Sequence, residues 1–218
     1  MYKRQSLYYQ VNQVTLADRS RSKSVSSTTT GFLLILMLGS TSVIYGGILT
    51  DKSSHIYNRL VLSTLSRFQY MLSYVCVGLV AFAIQLVIML GLLKAFNVSF
   101  YIPMQMLLLV FFLFSLLAIG FGLLIGAVTQ NTQQSSQLAN LIVMPTSMLA
   151  GCLWPLSITP SYMQAIGKLL PQNWVLSAIT TFQSGGGLSE AWPYLLALLA
   201  TAATFIILSS LLLKPAQS

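Results

Sequence analysis

The chain has 218 residues, 56% of them hydrophobic and only 6% charged, with a mean hydropathy of +0.78. Soluble domains carry about 25% charged residues, and a soluble fold this apolar would expose large apolar patches, so the composition points to a bilayer as solvent. The net charge of +8 comes from basic residues scattered at segment ends, with no continuous patch, which argues against nucleic acid as a partner.

Residues 1–30 are polar throughout and lack the short apolar core of a signal peptide. Met1-Tyr2-Lys3-Arg4-Gln5 reads as the translation, from a GTG start, of a transposon end used in sequencing libraries. Those five residues are therefore expected to be an artefact, and the gene to continue upstream. A spanning helix needs about 20 apolar residues, and five segments meet that length. They are 31–50, 70–96, 104–128, about 135–154 with Pro145 inside, and 191–213. Runs this long read as membrane helices, because in lipid the backbone must bond within its own segment.

Between the first two spans lies a polar island, residues 51–68, with three of the eleven basic residues and the lone histidine, His55. Ile56, Tyr57, Leu60, Val61, Leu65 and Phe68 recur at helical spacing, while Arg59, Ser63, Ser66 and Arg67 fall mostly on the other side. Asp51 near its start and Arg67 near its end suit the macrodipole, so a surface helix joining two spans is predicted. A plain connector and a docking element both fit that pattern.

Residues 97–103 form a short loop ending in Pro103, and residues 129–137 a polar, uncharged turn. In the third span, Gly120, Gly122 and Gly126 include a Gly-x-x-x-Gly pair, read as close helix packing, with a dimer seam as the alternative. Residues 155–187 are punctuated by Pro155, Pro160 and Pro171. Two short amphipathic patterns lie between, around Tyr162–Leu170 and Trp174–Phe182, too short to span. They are expected to lie at the membrane surface or re-enter it, with Trp154 and Trp174 at the interface.

Lys52, Arg59 and Arg67 against Asp51 give the 51–69 loop a net charge of +2, which places it in the cytoplasm. Residues 1–30 then lie outside, 214–218 form a cytoplasmic tail, and the +4 charge of the N-terminal segment runs against this orientation. Cys76 and Cys152 have no metal or disulfide spacing and read as packing residues. No phosphate loop or nucleophile elbow occurs, and none of the three acidic residues is mid-membrane. No cofactor and no catalytic residue is expected.

Two stretches resemble the permease subunit of type-2 ABC exporters, in particular the bacterial multidrug and antibiotic-resistance branch. The first is Asp51-Lys52-Ser-Ser-His55-Ile56-Tyr57-Asn58-Arg59-Leu60 with Ser63-Thr64-Leu65-Ser66-Arg67. The family has Gly-Thr where His55-Ile56 stands, and proline where Thr64 stands. The second runs from Gly122–Gly126 through Asn140–Pro145 and Ala150-Gly151 to Trp154-Pro155, Pro160, Leu170-Pro171 and Trp174. The resemblance covers residues 31–213 and implies an all-α membrane fold of six spans, the first preceding residue 1. It also implies a cytoplasmic amphipathic coupling helix and an external re-entrant helical hairpin. A separate ATP-binding cassette subunit would hydrolyse ATP. Asp51, Lys52, Tyr57, Arg59, Leu60, Leu65 and Arg67 would belong to the helix that docks on it. A second permease, identical or paralogous, would complete the path. The expected cargo is an apolar or amphipathic compound, with a glycan-export permease or a membrane scaffold as the alternatives.

Overall fold

The computed structural model describes residues 27–54, 67–95 and 102–212, and among these every regular element is a helix. The first span, Ser27–Asp51, consists of α1 (27–40) and α2 (Ser42–Ser53). It breaks at Thr41, whose backbone N–H and Oγ1 both donate to the Leu38 carbonyl, at 3.3 and 2.6 Å. Ser40 Oγ bonds back to the Leu36 carbonyl at 2.8 Å. Hydroxyls that compete for helix carbonyls, beside Gly39, are a local cause of such a break.

The second span lies within α3 (Arg67–Ala95), 29 residues and about 43 Å long at 1.5 Å per residue. That exceeds the roughly 30 Å hydrocarbon layer, so α3 tilts or projects beyond it. The third span is α4 (Met104–Val128), with the boundaries read from the sequence. Pro103 starts it and extended Thr129 stops it, with the Thr129 N–H closing on the Ile125 carbonyl. The last span is α8 (Leu188–Leu212).

Five spans were expected, and four of the described helices are long and apolar enough to cross a membrane. The exception is α5 (Thr132–Leu149), with 18 residues. The sequence reading put Thr132–Gln137 in a turn. They form the opening of the helix instead, because Asn131 caps it by accepting from Gln134 N–H, and Gln134 accepts from the Gln130 N–H. These two bonds satisfy exposed donors at the helix start, so the helix begins early and gains polar turns.

Beyond α5, a 3₁₀ turn (Leu156–Ile158) precedes α6 (Ser161–Lys168) and α7 (Pro171–Gln183). Pro171 occupies the first turn of α7, where its missing N–H costs nothing. The two short helices, expected to lie at the membrane surface or re-enter it, bury their apolar sides unequally. The apolar side of α6 stays exposed at Tyr162, Ile166 and Leu169, whereas α7 buries Val175, Ala178, Ile179 and Phe182 against α4 and α8.

The centre of the bundle is α4. Two thirds of its apolar window (67%) is buried, against 17% for both α3 and α8. Gly120 faces α8, where an added Cβ would lie 3.0 Å from Phe205 Cβ and 3.2 Å from the Ala202 carbonyl. Gly122 and Gly126 face the first span, Gly122 at its Thr41 break and Gly126 at Tyr45 and Ile48. Gly78, which the sequence reading passed over, brings α3 against Ile119 of α4 and Ile44 of α2. Small residues thus let three helices approach α4 closely, the packing mode that works without a hydrophobic drive in lipid.

Gly122→Val forces a side chain onto Thr41 and is expected to destabilise the bundle by about 1–3 kcal/mol, as overpacking does. Gly46→Ala meets nothing within 4 Å and is expected to raise stability, by up to about 1 kcal/mol from helix propensity. Thermal unfolding of the detergent-solubilised protein measures both, and a Gly122→Val protein melting at the wild-type temperature would contradict the packing.

Candidate functional site

Asp51 lies in the last turns of α2, half-buried, at the end that carries the polar island. A negative charge at a helix C-terminus opposes the macrodipole, the reverse of the favourable placement expected of it. Two tyrosines offset this. Tyr74 donates its hydroxyl to Asp51 Oδ2 at 2.6 Å, and Tyr70 donates to the same oxygen at 3.0 Å. Tyr70 and Tyr74 stand one turn apart on α3, their rings edge-on with centroids 5.2 Å apart. Gly47, one turn before Asp51, leaves room for the Tyr74 ring, since a Cβ there would lie 2.8 Å from Tyr74 Cε1. The pairs Gly47/Asp51 and Tyr70/Tyr74 therefore meet at matching helical spacing, and they close the base of the 52–66 segment.

Of the residues assigned to the coupling helix, Tyr57, Arg59, Leu60 and Leu65 lie outside the described residues. Lys52 belongs with Asp51 to the end of α2, and Arg67 opens α3. Both were expected within one surface helix with Asp51. Asp51 instead extends the membrane helix because its carboxylate is held by groups on the neighbouring span. Sequence reasoning missed Tyr70 and Tyr74; their spacing of four, at the start of a span that follows an acidic residue, was the available signal.

At the other end of the bundle the segment after α5 is tied down by backbone contact and buried amides. Gly151 turns the chain with φ +90°. Gly31 of α1 packs so closely on Cys152 that a Cβ would fall on the Cys152 carbonyl, and Gly167 of α6 meets the Leu149 carbonyl in the same way. Asn173 Nδ2 donates to the Ala150 carbonyl at 3.0 Å, and Gln172 Nε2 to Thr146 Oγ1 at 3.0 Å. Trp174 Nε1 donates to the Lys168 carbonyl at 2.9 Å, which links α7 to α6. Trp154 is half-buried just after the turn, while Pro155 and Pro160 lead into the 3₁₀ turn and α6 from extended conformations. The first span, α5, α6 and α7 thus share one junction.

Helix α5 has two unlike faces. Ser135, Ala139, Val143 and Ser147, each four residues from the next, are buried. Gln133, Gln137, Asn140, Leu141, Met144 and Met148 are exposed. In addition, a cavity of about 540 Å³ lies between α1, α3 and α4, lined mainly by apolar side chains such as Phe82, Leu86 and Phe112, with Gln105 and Ser115 as its polar groups. Among the described residues no group of His, Cys, Asp and Glu could hold a metal ion.

Residues 2–211 match the ABC-2 family transporter protein family, which is nearly the whole chain. The chain belongs to that family. It is similar to the linearmycin resistance permease protein of Bacillus subtilis, at 30% identity over 183 residues, 81% of this chain and 46% of that protein. It is also similar to a probable multidrug ABC transporter permease of Escherichia coli K12, at 31% identity over 113 residues, 50% of this chain and 30% of that protein. The chain thus spans less than half the length of these relatives. As a member of the ABC-2 family, with four candidate spans among the described residues, it is a multi-pass protein of the bacterial membrane.

Burial pushes the thiol of Cys152, in the turn beyond α5, up to about 12, so the neutral and unreactive form dominates at neutral pH. In a Cys76→Ala variant of this ABC-2 permease, maleimide labelling is expected to be slow when folded and fast after denaturation. Labelling of folded protein at the rate of an unhindered thiol would show that the Gly31–Cys152 contact is open.

Proposed function

We propose that this ABC-2 permease is the membrane half of an exporter that moves an apolar or amphipathic compound out of the cell, driven by a separate ATP-binding cassette subunit. The observation that carries this reading is the exposed face of α5. Its amides, Gln133, Gln137 and Asn140, continue into Leu141, Met144 and Met148 along a single side of the helix. Facing lipid, those amides would lack partners, which is costly. Facing a path shared with a second permease, identical or paralogous, they offer hydrogen bonds to a polar end of a cargo, and the methionines offer an adaptable surface to its apolar end. In this reading α5 is a fifth span, polar because it faces the path. The two relatives are named for linearmycin resistance and multidrug transport, which supports an amphipathic cargo.

In the same reading the 51–69 loop is cytoplasmic and the 51–68 stretch carries the coupling element that lies on the ATPase. Arg59 and Arg67 supply polar contacts, and Tyr57, Leu60 and Leu65 supply packing. The segment 155–187 is the external hairpin that shapes the exit. ATP-driven closure of the partner then shifts the balance between inward- and outward-open arrangements of the spans.

Asn140→Leu in the full-length permease is expected to leave folding intact and to lower export of an amphipathic antibiotic severalfold. Drug accumulation in cells carrying the permease and its ATPase measures this, and unaltered accumulation would remove α5 from the path. Arg59→Glu is expected to weaken co-purification with the ATPase and to abolish resistance; retention of both would sink the coupling assignment.

A further inference from the structure

The contact at Asp51 has a role separate from docking. We propose that Asp51, Tyr70 and Tyr74 form a latch that makes the first two spans move as one body where the 52–66 segment joins them. This rests on the reading of that segment as the coupling element, and it assigns Asp51 to positioning, away from contact with the ATPase.

The argument starts from how loosely α3 is held. Only 17% of its apolar window is buried, so lipid, or a partner, surrounds most of it. Its polar ties to the first span include the contact between Ser40 Oγ and Gln85 Oε1 at 3.2 Å, about halfway along. At the Asp51 end they include the two tyrosyl hydroxyls on Asp51 Oδ2. Hydrogen bonds to a carboxylate are roughly twice as strong as those between neutral groups, and two converge here on one oxygen. The Tyr74 ring also lies over Gly47, so apolar contact and charge-assisted bonds act at the same place. Together they hold the two ends of the loop at fixed separation. A push on the loop then moves α2 and α3 together. Without the latch, the end of α3 is free to part from α2, and the push is lost in that separation.

Asp51→Asn keeps a carbonyl acceptor but removes the charge. Tyr70→Phe with Tyr74→Phe removes both donors and keeps both rings. Because all three residues act through one contact, losses from the Asp51 and tyrosine changes are expected not to add.

The test uses the full-length permease with its ATPase in proteoliposomes, in a Cys76→Ala, Cys152→Ala background. Nitroxides are placed at Thr50→Cys and Ser73→Cys, both exposed. Electron–electron distance measurement is expected to give a narrow distribution in the parent. Asp51→Asn and the double tyrosine variant are each expected to broaden it, and the triple variant no further. Export of a lipophilic dye per ATP hydrolysed is expected to fall about tenfold, the size of effect that loss of charged hydrogen bonds commands. Tyr70→Phe alone, which removes the longer bond, gives a milder variant should the double one fold poorly, and is expected to broaden the distribution less.

Unchanged distances in all variants would overturn the latch. So would additive losses, or release of the ATPase by Asp51→Asn but not by the tyrosine variants, since Asp51 would then be touching the partner. If the parent itself shows no ATP-driven dye export, the export reading fails, while the spin-label distances still decide whether the latch exists.

Discussion

The bundle depends on how closely its helices can approach α4. In lipid no hydrophobic force drives one apolar helix against another, so contact must be gained from packing and polar bonds. Gly120 opens one side of α4 to α8, and Gly122 and Gly126 open another to the first span. The Thr41 break in the first span falls where Gly122 removes the obstruction, so the bend and the notch fit each other. The last span answers Gly120 with a narrow buried stripe, Ala191, Leu198, Ala202 and Ser209. With α4 central and well buried, α3 and α8 are left largely on the outside of the bundle.

This division gives the two ends of the bundle different means of cohesion. Around Cys152, backbone meets backbone at Gly31 and Gly167, and buried amides on α7 reach back to carbonyl and hydroxyl oxygens at the end of α5. Such contacts leave little room for adjustment, so the junction links the first span, α5, α6 and α7 as a unit. At the Asp51 end one carboxylate accepts from two hydroxyls, and the Tyr74 ring packs over Gly47 beside them.

Much of this was legible beforehand. Membrane residence, the third span to the residue, the importance of Gly120, Gly122 and Gly126, and the family resemblance all came from local composition and order. The start of α5 was misplaced, because Gln-rich polarity was read as a turn while the Asn131 cap, with Gln134 accepting from Gln130 N–H, makes it helical. Asp51 was read as the start of a surface helix, because its partners, Tyr70 and Tyr74, are 19 and 23 residues away and a helical wheel sees only neighbours. The close approaches at Gly31, Gly78 and Gly167 were unmarked for the same reason, as a glycine carries no sign of what will face it. Residues 55–66, with Tyr57, Arg59, Leu60 and Leu65, lie outside the described residues and stand on sequence alone.

The sequence by itself determined that the chain lives in a membrane, that its spans are helices, and which family pattern it carries. Those properties follow from runs of apolar residues and short motifs, and a bilayer admits few other solutions for them. Only the tertiary structure decided which helix is central, which face of α5 is left open, and that Asp51 turns inward to two tyrosines. These depend on groups far apart in the chain meeting at contact distance, which is set by how whole helices pack.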